Sequence, residues 1–357
     1  MSSQRARGYA LLVMLLLMAT MGGVYLTHAL NRNYSSSTML REQREAQRGL
    51  RDAQLALMAH ALIEDNTPGT LPSPSPVDRL DGRSGWISYS GAPGLAASRL
   101  PWHFLGLPAE INGECLWYAV SNAYHNNPST GNRKAASGTA INPTTQGGLS
   151  VSLNSAGPIA AAAVVIAPGS ALANQNARNY GNPDSCSGGS VDQFLEGGNA
   201  GINGVFADTS ANPASNDHVL PITHTQLLSP VLRRVLGSLS SDPVRAEIIK
   251  RMDAANGNLD QLRCKRATPT DTCTTHKDFD AILAQTDTGE LDYTGDCPGV
   301  STADGKYKQP VSWLCFNNWY PYIAYDQASQ SLSVSLAPYG SSQCRLALGT
   351  GQIQCSH

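Results

Sequence analysis

The sequence has no excess of either charge, with 25 Lys and Arg against 27 Asp and Glu in 357 residues. That balance excludes a global field strong enough to hold nucleic acid or an anionic membrane surface, so no nucleic-acid partner is expected and partners must be found by shape. The His-Glu-x-x-His, Walker, Ser-x-x-Lys and Gly-x-Ser-x-Gly motifs are all missing. No catalytic residue, resident metal or cofactor is therefore assigned, and the chain is not read as an enzyme. Cysteine is missing before Cys115 and proline before Pro68. The first absence confines any cystine framework to the later part of the chain. The second permits an unbroken helix at its start.

Hydrophobic residues make up 41% of the chain, enough to bury the core of one large or two small domains. Gly, Ser, Asn, Thr and Pro are abundant while Lys and Glu are scarce, a composition common in loop-rich β proteins that work outside the cytoplasm. The eight cysteines are an even set, which in an exported chain favours disulfides.

Arg5 and Arg7 precede an uncharged run from Gly8 to Leu30. At 1.5 Å rise per residue, about 22 residues span roughly 33 Å, enough to cross a bilayer core. The basic flank comes first, so residues 1–7 stay in the cytoplasm and the chain beyond Leu30 is sent across. The helical pattern then continues: Ala46, Leu50, Ala53, Leu57 and Ala61 recur at spacings of four and three, with Leu55, Met58 and Leu62 widening the stripe. Arg41, Arg44, Arg48 and Arg51 occupy the other side, interleaved with Glu42, Glu45 and Asp52, and Pro68, Pro72, Pro74 and Pro76 end the helix. Competing readings are a conventional signal peptide, with Thr27-His28-Ala29 as its small-residue site, and a plain single-pass anchor. The length of the run and its direct continuation into an amphipathic helix weigh against both.

The segment Gln4-Arg5-Ala6-Arg7-Gly8-Tyr9-Ala10-Leu11-Leu12-Val13 resembles the class III signal of type IV pilins and type II secretion pseudopilins: a short basic leader, a glycine, an aromatic residue and a long apolar helix. The resemblance covers about sixty residues. It implies cleavage by a prepilin peptidase between Gly8 and Tyr9, methylation of Tyr9, and association with other pilin-like subunits through the N-terminal helix in the inner membrane. Most family members carry a glutamate at the fifth mature position, where this chain has Val13. In the family that carboxylate meets the N-terminal amine of a neighbouring subunit, because an unpaired charge in lipid is costly. A subunit without it cannot pair with one ahead of it. Val13, like the equivalent position of the large K-type pseudopilin, therefore favours a minor or tip component over the major filament subunit.

The expected fold class is α+β and pilin-like: a long N-terminal membrane-spanning helix packed on an antiparallel β-sheet head with a helical insertion. Residues 1–8 are read as leader peptide, 9–64 as the long helix with 9–30 in the membrane, and 65–357 as a periplasmic or extracellular head. Strands are expected at 86–89, 116–120, 149–153, 311–316, 319–325 and 332–336, with a buried run at 159–167 and a long surface loop at 121–148. Leu228, Val231, Leu232, Val235 and Leu239 have helical spacing, and Ser241-Asp242-Pro243 signals a second helix start, giving a helical insertion at about 224–255.

Other chemistry is weaker. Cys264, Cys273, His276 and Cys297 imitate a zinc set, but an exported chain oxidises such cysteines. Asp287, Glu290, Asp292 and Asp296 form an acidic loop with calcium-type oxygens and no EF-hand spacing. Trp313, Trp319, Tyr320 and Tyr322 form either a glycan or partner patch, or core. The C-terminal hairpin is sharper: a turn at Gly349-Thr350 would place Leu346 opposite Ile353 and Cys344 opposite Cys355, close enough for a disulfide. By the same parity that cystine would join a hydrogen-bonded pair.

Three functions compete: a minor pilin or pseudopilin-like structural component with an assembly-initiation or tip role, a tip adhesin or binding protein, and a membrane-anchored periplasmic enzyme of unknown chemistry. The mature chain is expected to begin at Tyr9, and a bulky replacement at Gly8 to leave the leader attached. Intact-mass analysis of membrane-extracted protein decides this, and a mature start at Leu30 would contradict the pilin resemblance.

Overall fold

The computed structural model describes residues 41–64, 67–75, 95–111, 114–125, 141–154, 157–175, 178, 186, 189–211, 215–254, 313–314, 317, 319 and 322–356. The chain divides into two compact units, Met1–Gly49 and Leu50–His357. Residues 41–63 are helical and are called α1. In the first unit the described part, 41–49, is mostly exposed, and Arg41 pairs with Glu45 one turn on, Nε to Oε1 at 2.8 Å.

In the second unit, the α1 residues Leu50, Ala53, Leu57 and Ala61 are buried, which is the stripe that the spacing of four and three predicts. The stripe does not widen as expected: Met58 and Leu62 are half-buried and Leu55 is 62% exposed. Gly69 reverses the chain behind the helix with φ +97°, and its N–H donates to the Ala61 carbonyl at 2.8 Å. A Cβ there would lie 2.8 Å from Ile141 and 2.9 Å from Leu228, so both the φ and the close approach require glycine.

The strands are β1 Ser98–Arg99, β2 Glu110–Ile111, β3 Glu114–Cys115, β4 Trp117–Val120, β5 Leu149–Ser152, β6 Pro158–Ala161, β7 Ala163–Ala167, β8 Val205–Ala207 and β9 His218–Ile222. Beyond two helices come β10 Ile323–Asp326, β11 Ser331–Ser335, β12 Gln343–Ala347 and β13 Ile353–Ser356. They form two four-stranded sheets, β1-β4-β7-β9 and β10-β11-β12-β13, a three-stranded sheet β6-β5-β8, and the ribbon β2-β3. The apolar runs of β4 and β7 are buried at every position, the mark of strands covered on both faces. Leu149 and Val151 of β5 alternate with half-buried serines, as a strand with one covered face requires. Trp117, Ala119, Val164, Ile166 and Val219 of the first sheet meet Leu149, Val151, Ala161 and Phe206 of the three-stranded sheet in one core, with Phe194 and Leu195 closing it.

This architecture corrects the expected fold class. Among the described residues the chain is mainly β, spread over several sheets instead of one, and β5 pairs with β8 in parallel. Among the described residues no helix is long and apolar enough to cross a membrane, and residues 1–40 lie outside them. The run 159–167 is not one strand: it breaks at Ala162, whose N–H donates to Ile222 O and whose carbonyl accepts from Ser121 N, both at 2.8 Å. One contiguous apolar segment thereby serves two sheets. Trp313 and Leu314 are helical, not extended. The ends of the expected surface loop, including Tyr124, His125 and Ile141, are buried, while 126–140 and the expected strand at 86–89 lie outside the described residues.

α2 spans His224–Ser238 and α3 spans Asp242–Ala254. Thr223 starts α2 with a capping box: its Oγ1 accepts from Gln226 N at 3.3 Å, and its N–H donates to Gln226 Oε1 at 2.9 Å. The buried face of α2 is Leu227, Leu228, Val231, Leu232, Val235 and Leu236, and the helix lies on the β11-β12-β13 side of the C-terminal meander.

Candidate functional site

Gly8 and Tyr9 lie outside the described residues, as do Cys264, Cys273, His276, Cys297 and the acidic loop 287–296. Trp313 and Trp319 are buried, ring on ring in a T-shape at 6.3 Å, so these two aromatics are core and not an exposed patch. Tyr322 is half-buried and Tyr320 lies outside the described residues.

In the C-terminal hairpin Leu346 faces Ile353, and Cys344 faces Cys355 and is joined to it, with Cα atoms 4.0 Å apart. The turn is built differently from the two-residue expectation. Ala347 N donates to Gln352 O at 2.9 Å and Gly351 N to Ala347 O at 2.8 Å, and Gly351, not Gly349, takes positive φ, at +70°. The hydrogen-bonded closing pair is therefore Ala347 and Gln352, which leaves Cys344 and Cys355 as a non-hydrogen-bonded pair. Side chains approach most closely at such pairs, in keeping with the short Cα separation. Arg245 of α3 fixes the turn from outside: its Nε donates to Leu348 O at 2.8 Å and its Nη2 to Asp242 Oδ1 at 2.6 Å.

A second cystine joins Cys115 of β3 to Cys186, with Cα atoms 5.6 Å apart across a separation of 71 residues. No cysteine is free among the described residues. Beside it, Arg178 gathers the surrounding loops: it donates to Glu114 Oε1 at 3.0 Å, Gly169 O at 2.8 Å, Gln193 O at 3.1 Å and Gln175 Oε1 at 2.6 Å. Nothing in sequence spacing marks Cys186 or Arg178 for these roles, because their partners come from different loops.

Two polar pairs with buried members were not legible in the sequence. Ser73 Oγ lies 2.5 Å from His125 Nε2, which would suit a nucleophile and its base. Ser73 is only 4% exposed and His125 1%, so no substrate reaches them, and His125 Nδ1 has no partner to orient it. The pair is a structural lock. Burial lowers the His125 imidazole to about 4. A depressed histidine stabilises the fold above its unfolded value of about 6.5 and withdraws that stability as pH falls toward the folded value.

The other pair is acidic. Asp217 is fully buried; its Oδ2 accepts from Glu196 N at 3.0 Å and Asn199 Nδ2 at 2.9 Å, while its Oδ1 takes no donor. The Glu196 carboxylate accepts from Gln175 Nε2 at 2.6 Å and from Ser215 Oγ and Asn216 N, both at 3.1 Å. Burial, reinforced by the facing Glu196 carboxylate, pushes Asp217 up to about 7 against the hydrogen bonds it accepts. Nearby Asp208 behaves oppositely. Burial would raise it, but the His218 imidazole 3.7 Å away and hydrogen bonds from Ser210 and Val219 outweigh burial and hold it below the usual carboxylate range. Among the described residues no group of three or more His, Cys, Asp and Glu side chains could hold a metal ion.

No protein-family model, no curated protein and no solved structure matches the chain.

The chain-entropy estimate ranks the two cystines: losing the long loop of Cys115–Cys186 is expected to cost about 4 kcal/mol, and losing Cys344–Cys355 about 2–3 kcal/mol. Denaturant unfolding of Cys186→Ser and Cys355→Ser checks this. Equal losses, or a larger loss for Cys355→Ser, would contradict it.

Proposed function

We propose that the chain is a minor pilin or pseudopilin-like structural component of a type IV pilus or type II secretion filament, acting in assembly initiation or at the tip. The observation that carries this reading is the continuity of the N-terminal pattern. A basic leader, Gly8, Tyr9 and an apolar run to Leu30 lead into a segment whose stripe Leu50, Ala53, Leu57 and Ala61 is buried. On this reading a prepilin peptidase cuts before Tyr9, the apolar run anchors the chain in the inner membrane with the head, residues 65–357, in the periplasm, and the same run meets other pilin-like subunits. The head carries its own arrangement of several sheets on that shared N-terminal plan. Two cystines, Cys115–Cys186 and Cys344–Cys355, support an oxidising location. Val13 in place of the family's glutamate supports a leading position over a repeated one.

Deleting the chain in its native cell is expected to cut sharply the number of surface filaments, or secretion through the type II system, while the filaments that remain keep their normal length. Replacing Val13 by Glu should impair membrane insertion or assembly, since a leading subunit has no amine ahead of it to pair with the new charge. Unchanged filament number and unchanged secretion in the deletion strain would contradict the proposal.

A further inference from the structure

Three chain segments that share no strand pairing converge on the two acids Glu196 and Asp217. Gln175 ends a short 3-10 turn, Ala173–Gln175, and donates to Glu196. Glu196 itself precedes the 3-10 turn Gly197–Ala200, and Asn199 of that turn bonds Asp217 Oδ2 and also both backbone groups of Ala207 on β8, at 2.9 and 2.8 Å. Ser215, Asn216 and Asp217 lead into β9, and Thr209 N donates to the Asp217 carbonyl at 2.9 Å.

We propose that Asp217 is protonated in the fold, and that its proton is the latch closing residues 172–175, 194–200 and 215–217 over the edge of the core. The geometry demands a proton. Asp217 has no solvent exposure, its Oδ1 has no donor within reach, and the group that faces it is a second carboxyl whose oxygens already accept from Gln175, Ser215 and Asn216. A carboxylate with no solvent exposure, beside a second, half-buried carboxyl, cannot keep its charge without a donor. Among the described residues no cationic side chain pairs with either acid. Arg178 stops one residue short, spending its guanidinium on Gln175, Glu114 and backbone carbonyls. His218 turns to Asp208, with Nδ1 3.7 Å from Oδ1. Asp208 is satisfied by Ser210 and Val219. A proton held by Asp217 supplies the missing donor, so the latch is closed in acidic surroundings and opens in alkaline ones.

Linkage fixes the sign. A carboxyl raised above its unfolded value binds a proton in the folded state that the unfolded state has lost, so stability falls as pH rises from about 4 to the folded value of about 7 and is level above it. His125 runs the other way over part of this window, so the wild-type curve alone mixes the two. The difference between the wild type and Asp217→Asn removes the histidine contribution. An asparagine keeps the acceptor for Glu196 N and Asn199 while its amide supplies the donor permanently.

The full chain in detergent is unfolded thermally and by denaturant from pH 5 to 9, as wild type and as Asp217→Asn. The ratio of the wild-type to the variant unfolding constant is expected to climb with pH, by at most about tenfold per unit, and to level off above neutrality with the variant the more stable. Infrared spectroscopy gives a second readout: a protonated carboxylic acid band should persist in folded wild type at pH 6, where exposed carboxylates are ionised, and vanish by pH 9. Parallel pH curves for the two proteins, or no such band at pH 6, would overturn the latch. Stabilisation of wild type but not of Asp217→Asn by calcium chloride at pH 8 would also overturn it, by showing that a cation and not a proton bridges the pair.

Discussion

The seat of α1 against the rest of residues 50–357 is the constraint on which the remaining arrangement depends. Ala53 and Ala61 alternate with Leu50 and Leu57 on its buried face, and small residues at these positions let the helix backbone come close. Polar contacts fix the seat at both ends. Gln54 Nε2 donates to the carbonyl of Pro221 on β9 at 3.0 Å, satisfying an acceptor at the open edge of the β1-β4-β7-β9 sheet. At the C-terminal end Arg234 of α2 donates to Leu62 O, and to Glu64 O at 2.8 Å, where a helix leaves unpaired carbonyls and a partial negative charge. The same guanidinium lies 5.5 Å from the Trp313 ring, which ties the helix end to the Trp313–Trp319 core. Burying α1 thus sets the position of β9 and of α2. Through α2 it also sets the position of the C-terminal meander, which Ser229 touches at Ser342 Oγ, 2.7 Å away.

Around that seat, the loops are held by closed polar and covalent contacts. Cys115–Cys186 and Arg178 fasten the loops beside β3, and the Glu196–Asp217 pair fastens those beside β8 and β9. Cys344–Cys355 closes the last hairpin, with Arg245 holding its turn to α3. A chain rich in Gly, Ser and Asn has few large side chains with which to pack its loops, so covalent and charge-based pins replace apolar ones.

Local periodicity carried the parts of this fold that depend on one segment at a time. The four-and-three spacing of Leu50 to Ala61, the helical spacing of α2, the Asp242 start of α3 and the Leu346–Ile353 register all rest on residues close in sequence. The hidden features depend on partners far along the chain. The break at Ala162 lies within an unbroken apolar run, and only the competing bonds to Ile222 and Ser121 reveal it. Leu55 reads as a widening of the buried stripe but is 62% exposed. The parity of the last cystine turned on which glycine took positive φ, and Gly351 won because the turn spends four residues instead of two. Glu196 and Asp217 are isolated acids in polar loops, and no pattern separates them from solvated ones until β8 and β9 fold beside them.

Residues 50–63 are thus part of the globular fold and not a stalk leading to it. Residue-resolved hydrogen exchange of the full chain in detergent tests this directly. The amides of residues 53–61 are expected to exchange only through global unfolding, at the same rate as those of β4 and β7, whose strands are fully buried. Exchange of 53–61 as fast as that of the exposed helical residues 41–48, with β4 and β7 still protected, would show that the helix is not seated and would contradict the central role of α1.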